Sequence, residues 1–382
     1  MKKISVITVL NTINYGSALQ TFATQKYLED LGMEVEFIDY WRPDQRAGAR
    51  ARRVLLDKKS SLKQWIKKPV RDVLELVSIW KSTKMFRGFL QKNIHLTSAN
   101  YASIHDLVEN PPDADIYATG SDQMWNSGWN QGIEKSFFLT FVPENKKKLS
   151  FSTSIGKTAW DKWEAEKVVP LLQKYDYITL REQSAVDLLD RYGIAGTLVL
   201  DPTLLFDRNQ WNNYLPQKKQ KERYLLVYQL HQTHAQANFT KAVKAFALKK
   251  GLAIKRVTYS FSDRLPGQKI VLPEVFTFLQ LIRDADFIIT DSFHGTAFSV
   301  NFNKQFAVLY PEHFSTRMDN LLTMTGLNSR RFTDSSNLET FDAQIDYNQI
   351  NQILNAKRAK IKKDFKAYFA ALEGKEQTGE HL

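Results

Sequence analysis

Cysteine is absent from this 382-residue chain. That absence excludes disulfides, a thiolate nucleophile and any cysteine-ligated zinc or iron–sulfur centre, and it fits a reducing compartment. No run of about 18 apolar residues occurs, so the sequence offers no membrane-spanning helix. There is no Gly-x-Gly-x-x-Gly fingerprint, no Walker lysine and no His-x-x-x-His pair, which removes the common signatures of dinucleotide, nucleoside-triphosphate and helix-borne zinc sites. What is present is an ordinary globular composition: 43% hydrophobic, 12% aromatic and 25% charged. A single core seldom grows past about 250–300 residues, so two domains are expected. The opening MKKISVITVLNT has two lysines before an apolar stretch, but its β-branched run is short and ends at Asn11 without a small-residue cleavage site. It reads as a strand, and the expectation is a cytoplasmic protein.

Charge is unevenly placed. Arg42 to Lys92 holds fifteen Lys or Arg against Asp44, Asp57, Asp72 and Glu75, a net +11 out of +12 for the whole chain. Such a local field attracts nucleic acid, a membrane face or a phosphorylated substrate. From Leu62 onward, Trp65, Ile66, Val70, Val73, Leu74 and Val77 recur at helical spacing, with Lys63, Lys67, Lys68 and Arg71 on other faces. This pattern suits either a helix lying on an anionic membrane or one packed on the first domain with a solvated lysine face.

Elsewhere apolar runs and amphipathic stretches alternate, the pattern of parallel sheets with crossover helices. Strands are expected at Ile4–Leu10, Val35–Ile38, Asp115–Thr119, Leu149–Ser154, Tyr177–Leu180 and Thr197–Leu200. A lysine-rich stretch, Pro216 to Arg223, reads as a linker. A second set follows with strands Tyr224–Leu230, Ala253–Val257, Phe287–Thr290 and Phe306–Leu309, then a long helix from Tyr347 to about Leu372 and a polar tail. The expected fold is therefore α/β with two Rossmann-like domains in tandem. Residues 1–215 form the first, with a basic helical insertion at about 42–95; residues 216–345 form the second; 346–382 are the closing helix and tail.

Ligands of such sheets bind beyond the carboxyl ends of the strands. After the first strand, Asn11, Asn14, Gly16 and Ser17 lead into a helix, either as an anion-binding loop or as a capped turn. Gly120, Ser121, Asp122 and Gln123 follow the strand ending at Thr119, beside Trp125 and Trp129, as a ligand loop or an Asx-turn. Arg181 ends a third strand, as an anion clamp or as half of an ion pair with Glu182 or Glu166. Ser292, His294, Gly295 and Thr296 sit between a strand end and a helix start, where histidine suits acid–base work, phosphate contact or a structural role. Arg317 opens a later helix, facing an anion or solvent.

Seven segments in order, LNTINYGSALQTFATQKYLEDLG, IYATGSDQMWN, SFSTSIGK, ITLREQSAVDLL, LVLDPTLLF, ADFIITDSFHGTAFSVNFNKQFAVL and STRMDNLLTMTGL, resemble the polysaccharide pyruvyl transferase family. They span about residues 4 to 327 and leave the basic segment and the C-terminal tail uncovered. The resemblance implies the two-domain fold of B-type glycosyltransferases. It also implies transfer of pyruvate from phosphoenolpyruvate onto two hydroxyls of a sugar in a cell-surface polysaccharide or its precursor, as a cyclic ketal with release of phosphate. Arg181 and His294 match the family's basic residues around phosphoenolpyruvate; Asn11, Asn14, Gly16 and Gly120-Ser121-Asp122 match its cleft loops. On that basis His294 takes acid or phosphate duty, Arg181 the charge clamp, and Asp122 activation of the acceptor hydroxyl. Some members carry arginine before the leucine–histidine pair, where this chain has Ser292-Phe293-His294, so another cation is needed: Arg317 or Lys304. No metal or cofactor is expected beyond phosphoenolpyruvate as donor substrate.

The implied partners are phosphoenolpyruvate and a glycan acceptor, lipid-linked or free, with peripheral contact between segment 42–92 and the inner face of the membrane. No nucleic acid is expected. Two other readings stand beside this one: a nucleotide-sugar-dependent glycosyltransferase of the same architecture, which lacks a clear acidic residue for a ribose, and a non-catalytic binder of anionic polymers.

Overall fold

The computed structural model describes residues 1–56, 68–217, 222–230, 236–261, 267–310, 316–332 and 338–378. Part of the expected linker and the stretch containing Leu62, Lys63, Trp65, Ile66 and Lys67 lie outside the described residues. Two sheets organise the chain. The first contains β1 (Lys3–Ile7), β2 (Glu34–Tyr40), β3 (Leu96–Tyr101), β4 (Ile116–Thr119), β5 (Lys147–Thr153), β6 (Tyr177–Leu180) and β7 (Thr197–Leu198), in the order β3-β2-β1-β4-β5-β6-β7. The second contains β8 (Tyr224–Tyr228), β9 (Ala253–Thr258), β10 (Gln268–Val271), β11 (Phe287–Thr290), β12 (Gln305–Leu309) and β13 (Arg331–Phe332), in the order β10-β9-β8-β11-β12-β13. Every ladder is parallel. The central strands are buried on both faces, which is why they read as continuous apolar runs such as LLV and FII.

In both sheets the strand order reverses beside the first strand, between β1 and β4 and between β8 and β11. These are the topological switch points, where the loops leaving neighbouring strands diverge and open a crevice. The helix Tyr15–Glu29 that follows β1 is buried on nearly all sides, because it lies between the two sheets. Tyr15 stacks on Phe278 of the second half, with ring centroids 4.2 Å apart, and its hydroxyl donates to the Pro273 carbonyl at 2.7 Å. One apolar cluster therefore runs through both halves.

The last helix, Tyr347–Thr378, runs past Gly374, further than the expected frayed tail allows. It begins on the second half, where the Tyr347 hydroxyl donates to the Lys304 carbonyl at 2.5 Å, and ends on the first sheet. There Phe365 packs against Tyr27, Phe151 and Tyr177, and Lys2 Nζ donates to the Leu372 carbonyl at 3.1 Å. Among the described residues no helix is long and apolar enough to cross a membrane.

Candidate active site

The segments after β1, β2, β4, β8 and β11 converge on one cleft of about 520 Å³. Asn11, Asn14, Ser17, Asp122, Gln123, Ser292, His294 and Arg317 line it, together with Arg50, Arg53 and Trp129. Gly16 lies at its back against His294: a Cβ on Gly16 would fall 2.0 Å from the imidazole Nδ1. Only glycine allows the helix to start so close to the ring.

Asn14 and Ser292 act as caps. Asn14 Oδ1 accepts from the backbone N–H groups of Gly16 at 2.8 Å and Ser17 at 3.4 Å, and Tyr15 N–H donates to the Tyr259 hydroxyl at 3.4 Å. Ser292 Oγ accepts from Gly295 N–H at 3.3 Å. The helix-start donors after β1 are thus already used, which realises the capped-turn alternative and leaves anion binding to side chains. Gly120, Ser121, Gly295 and Thr296 sit behind the cleft wall. Thr296 Oγ1 donates to the Ser292 carbonyl at 3.0 Å, and the Cβ that Gly295 lacks would meet Thr290 Oγ1 at 2.3 Å. Their work is to let the wall form rather than to face the cleft.

Arg181 is fully buried at the end of β6, and its guanidinium is enclosed by carboxylates. Nη1 donates to Asp201 Oδ2 at 2.8 Å and to Ser121 Oγ at 3.3 Å, Nη2 to Asp122 Oδ1 at 3.4 Å, and Glu182 Oε2 lies 3.8 Å from Nε. Burial opposes its charge, but Asp201, Asp122 and Glu182 outweigh burial and raise its pKa. Asp122 adopts φ +91, a left-handed backbone unusual for a non-glycine residue, with its carbonyl accepting from Met124 N–H at 2.8 Å and Ser154 N–H at 3.0 Å. This turn aims Oδ2 at Ser17 Oγ, 2.6 Å away. Burial would raise the Asp122 pKa, yet Arg181 and then Arg317 bring it down to about 2. A carboxylate held that low accepts a proton poorly, and its side-chain partners here are Arg181 and Ser17.

Arg317 differs in kind. It is half-buried, and among the described residues it has no hydrogen bond or ion pair. Its guanidinium lies 5.4 Å from the Phe293 ring centroid, and the Arg181 guanidinium lies 5.4 Å from the same centroid. Burial, followed by the like charge of Arg181, lowers its pKa to about 10. Lys304, the other expected cation, donates to the Arg283 carbonyl at 2.8 Å at the start of β12, the end of the strand away from the cleft. Of the two expected cations, Arg317 is the one that lines the cleft.

His294 is buried beside both arginines. Its Nε2 has no hydrogen-bond partner, and Asp201 Oδ2 is 3.8 Å away. Burial pushes its pKa down to about 4, with Asp201 opposing and Arg181 adding to the fall. Burial therefore favours the neutral imidazole near pH 7. Asn11 Nδ2 is a second buried donor without a partner. Asp201, not among the expected site residues, ties the cluster together. Oδ1 caps the next helix through Thr203 N–H at 2.9 Å, while Oδ2 holds Arg181 and faces His294. Its place directly after a strand was the available signal. Arg50 and Arg53 were visible only as part of the basic segment; here they reach the cleft wall, with Arg50 donating to the Asn11 carbonyl.

The family model for polysaccharide pyruvyl transferase matches residues 14–313. The chain belongs to that family. This pyruvyl transferase has the two-domain fold expected of B-type glycosyltransferases. Solved structures similar to it include an S. aureus MnaA–UDP co-structure, with TM-score 0.50 and 13% identity, covering 97% of each chain. A UDP-N-acetylglucosamine 2-epimerase is similar at TM-score 0.50 and 12% identity, over 95% of this chain and 90% of the other. At such identities the likeness is one of fold. No curated protein matches the sequence. The matched region contains every cleft residue named above except Asn11 and Arg317.

Proposed function

We propose that this enzyme takes pyruvate from phosphoenolpyruvate and installs it as a cyclic ketal on two hydroxyls of a polysaccharide precursor carried on a lipid at the cytoplasmic face of the membrane. The observation that carries the reading is the pairing of an unpartnered guanidinium, Arg317, with an unpartnered neutral imidazole, His294, in one cleft. Phosphoenolpyruvate brings a carboxylate and a phosphate, which answer an electrostatic need that the protein leaves unmet.

In this reading Arg317 takes one anionic group of the donor, and Arg181, held by Asp201 and Asp122 behind Phe293, fixes the wall of the site. The donor's negative charge raises the His294 pKa and draws a proton onto the imidazole, with Asp201 Oδ2 beside it to balance the imidazolium. That proton passes to the methylene carbon, leaving oxocarbenium character at the adjacent carbon. The first sugar hydroxyl adds there and gives its proton to the imidazole that protonated the carbon. Phosphate then departs with its bridging oxygen, restoring oxocarbenium character at that carbon; the second hydroxyl adds to it and closes the ketal, its proton leaving on the phosphate. No metal or organic cofactor is required by this sequence of steps.

The test is incubation with phosphoenolpyruvate and a panel of glycan acceptors, following phosphate release and the mass of the sugar. Acceptor-dependent phosphate with a pyruvate-sized mass gain supports the reading. Binding of a nucleotide sugar but not of phosphoenolpyruvate would transfer the assignment to glycosyl transfer.

A further inference from the structure

The helix Lys68–Asn93 crosses the basic insertion, and its first half is polar on the inside and apolar on the outside. Asp72, Ser78 and Ser82 are buried. Ser260 Oγ donates to Glu75, Phe261 N–H donates to Ser78 Oγ at 3.1 Å, and Lys81 Nζ lies 4.9 Å from the Phe261 ring centroid. The opposite side presents Val70, Val73, Val77 and Trp80, which are 67%, 58%, 36% and 61% exposed. Their spacing places them in one stripe over three turns. The second half behaves conventionally, burying Phe86, Phe89 and Leu90 against the core. The inversion is therefore local, and it leaves a row of valines ending in a tryptophan in water.

Cations border this row. Lys81 and Lys84 are exposed at its C-terminal end, with Lys84 Nζ 5.6 Å from the Trp80 ring centroid. They belong to the segment with fifteen basic and four acidic residues. An apolar strip edged by lysines, with an indole among them, matches the boundary between headgroups and acyl chains: the aliphatic groups enter the chains and the ammonium groups stay with phosphate. Charge complementarity thus selects an anionic bilayer.

We infer that Val70, Val73, Val77 and Trp80 form a docking face for an anionic lipid surface. The inference deepens the proposed function and rests on it only for the meaning of the docking. The helix Ala47–Leu56, which packs on this helix, supplies Arg50 and Arg53 to the cleft, so one insertion joins the lipid-facing strip to the site. An acceptor held by its lipid in the plane of the membrane would meet the cleft beside its anchor.

The experiment is flotation of the full chain with vesicles of phosphatidylcholine containing about 30% phosphatidylglycerol, against vesicles of phosphatidylcholine alone. Wild type is expected to float with the anionic vesicles at low salt and to be released at about 0.5 M salt. The double variant Val77→Glu, Trp80→Glu is expected to lose partitioning by about tenfold or more. It should also keep wild-type phosphoenolpyruvate binding, which shows that it is folded. Failure of wild type to float, or flotation of the variant like wild type, overturns the inference. So does a concentration-dependent dimer that the variant abolishes in a protein that never floats, since a second copy then covers the strip. Turnover on a water-soluble acceptor is read separately: flotation without turnover sinks the proposed reaction, and turnover without flotation sinks the docking face.

Discussion

The His294 imidazole occupies the space that a side chain on Gly16 would need, with Nδ1 2.0 Å from the position of the missing Cβ. Gly16 opens the first helix of one half, and His294 lies in the first turn of a helix of the other. The contact thus fixes the ring with backbone, across the cleft. Gly16→Ala should displace the ring while leaving the buried faces of its helix untouched. The expected result is a fall in kcat on the order of 100-fold or more with near-normal melting, because misplacement by about 1 Å is costly to chemistry. Normal turnover by that variant would show that the imidazole position is unimportant.

Protons and stability are linked at His294. Its pKa is about 4 when folded, against 6.5 for the free side chain, so the unfolded chain takes up a proton that the folded one resists. The sign follows: this residue does not disfavour folding above about 6.5, and it lowers stability progressively as pH falls from about 6.5 to about 4. His294→Gln should flatten that part of a stability–pH profile measured by denaturant titration. The same linkage makes donor binding consume protons, since the incoming phosphate raises the pKa. Calorimetry near pH 6 in buffers of different ionisation enthalpy should show proton uptake in wild type and none in His294→Gln.

The two arginines that share Phe293 should fail differently. Removing Arg181 strands Asp201, Asp122 and Glu182 in the interior, so Arg181→Met should lose about 3–5 kcal/mol of stability. Arg317 holds no carboxylate, and Arg317→Met should fold normally while weakening phosphoenolpyruvate binding by roughly 10- to 100-fold. Thermal melts alongside binding titrations separate the two. Equal destabilisation by both substitutions would contradict the difference in their surroundings.

Tyr259 joins the halves from the other side of the helix start. Its hydroxyl accepts from Tyr15 N–H at 3.4 Å and lies 2.8 Å from the Tyr228 hydroxyl. Tyr259→Phe keeps the stacked rings and removes only these bonds, so a loss of about 1 kcal/mol is expected in urea unfolding. A larger loss would mean that the hydroxyl pair controls how the two halves meet.

Much of this architecture is legible in the sequence wherever a segment is buried on both faces. Tyr177–Leu180 and Phe287–Thr290 are strands with the bounds expected of them. The unexpected strands, β3, β10 and β13, all lie at sheet edges. An edge strand needs little continuous apolar character: LTSANY and QKIV carry too few buried side chains to stand out, and β13 has two residues. At the site, glycine, histidine and strand-end arginine declare themselves by type and place. Asp201 does not, because Asp-Pro also reads as an ordinary helix start. The inverted helix is hidden for another reason. Valine and serine alternate around it at one period, and only the position of Ser260 and Phe261 decides which side faces inward.

The closing helix returns the end of the chain to its beginning, and this has a consequence for synthesis. Tyr27, Phe151 and Tyr177 receive their cover from Phe365, far later in the sequence. At translation rates of about 5–20 residues per second, that face of the first sheet waits roughly 10–40 s on the ribosome for its lid. During this interval the nascent chain carries a bare aromatic surface that chaperones can hold. A message ending shortly before Phe365 would therefore yield a polypeptide with nearly all of its active site encoded and no means of closing the sheet on which that site is built.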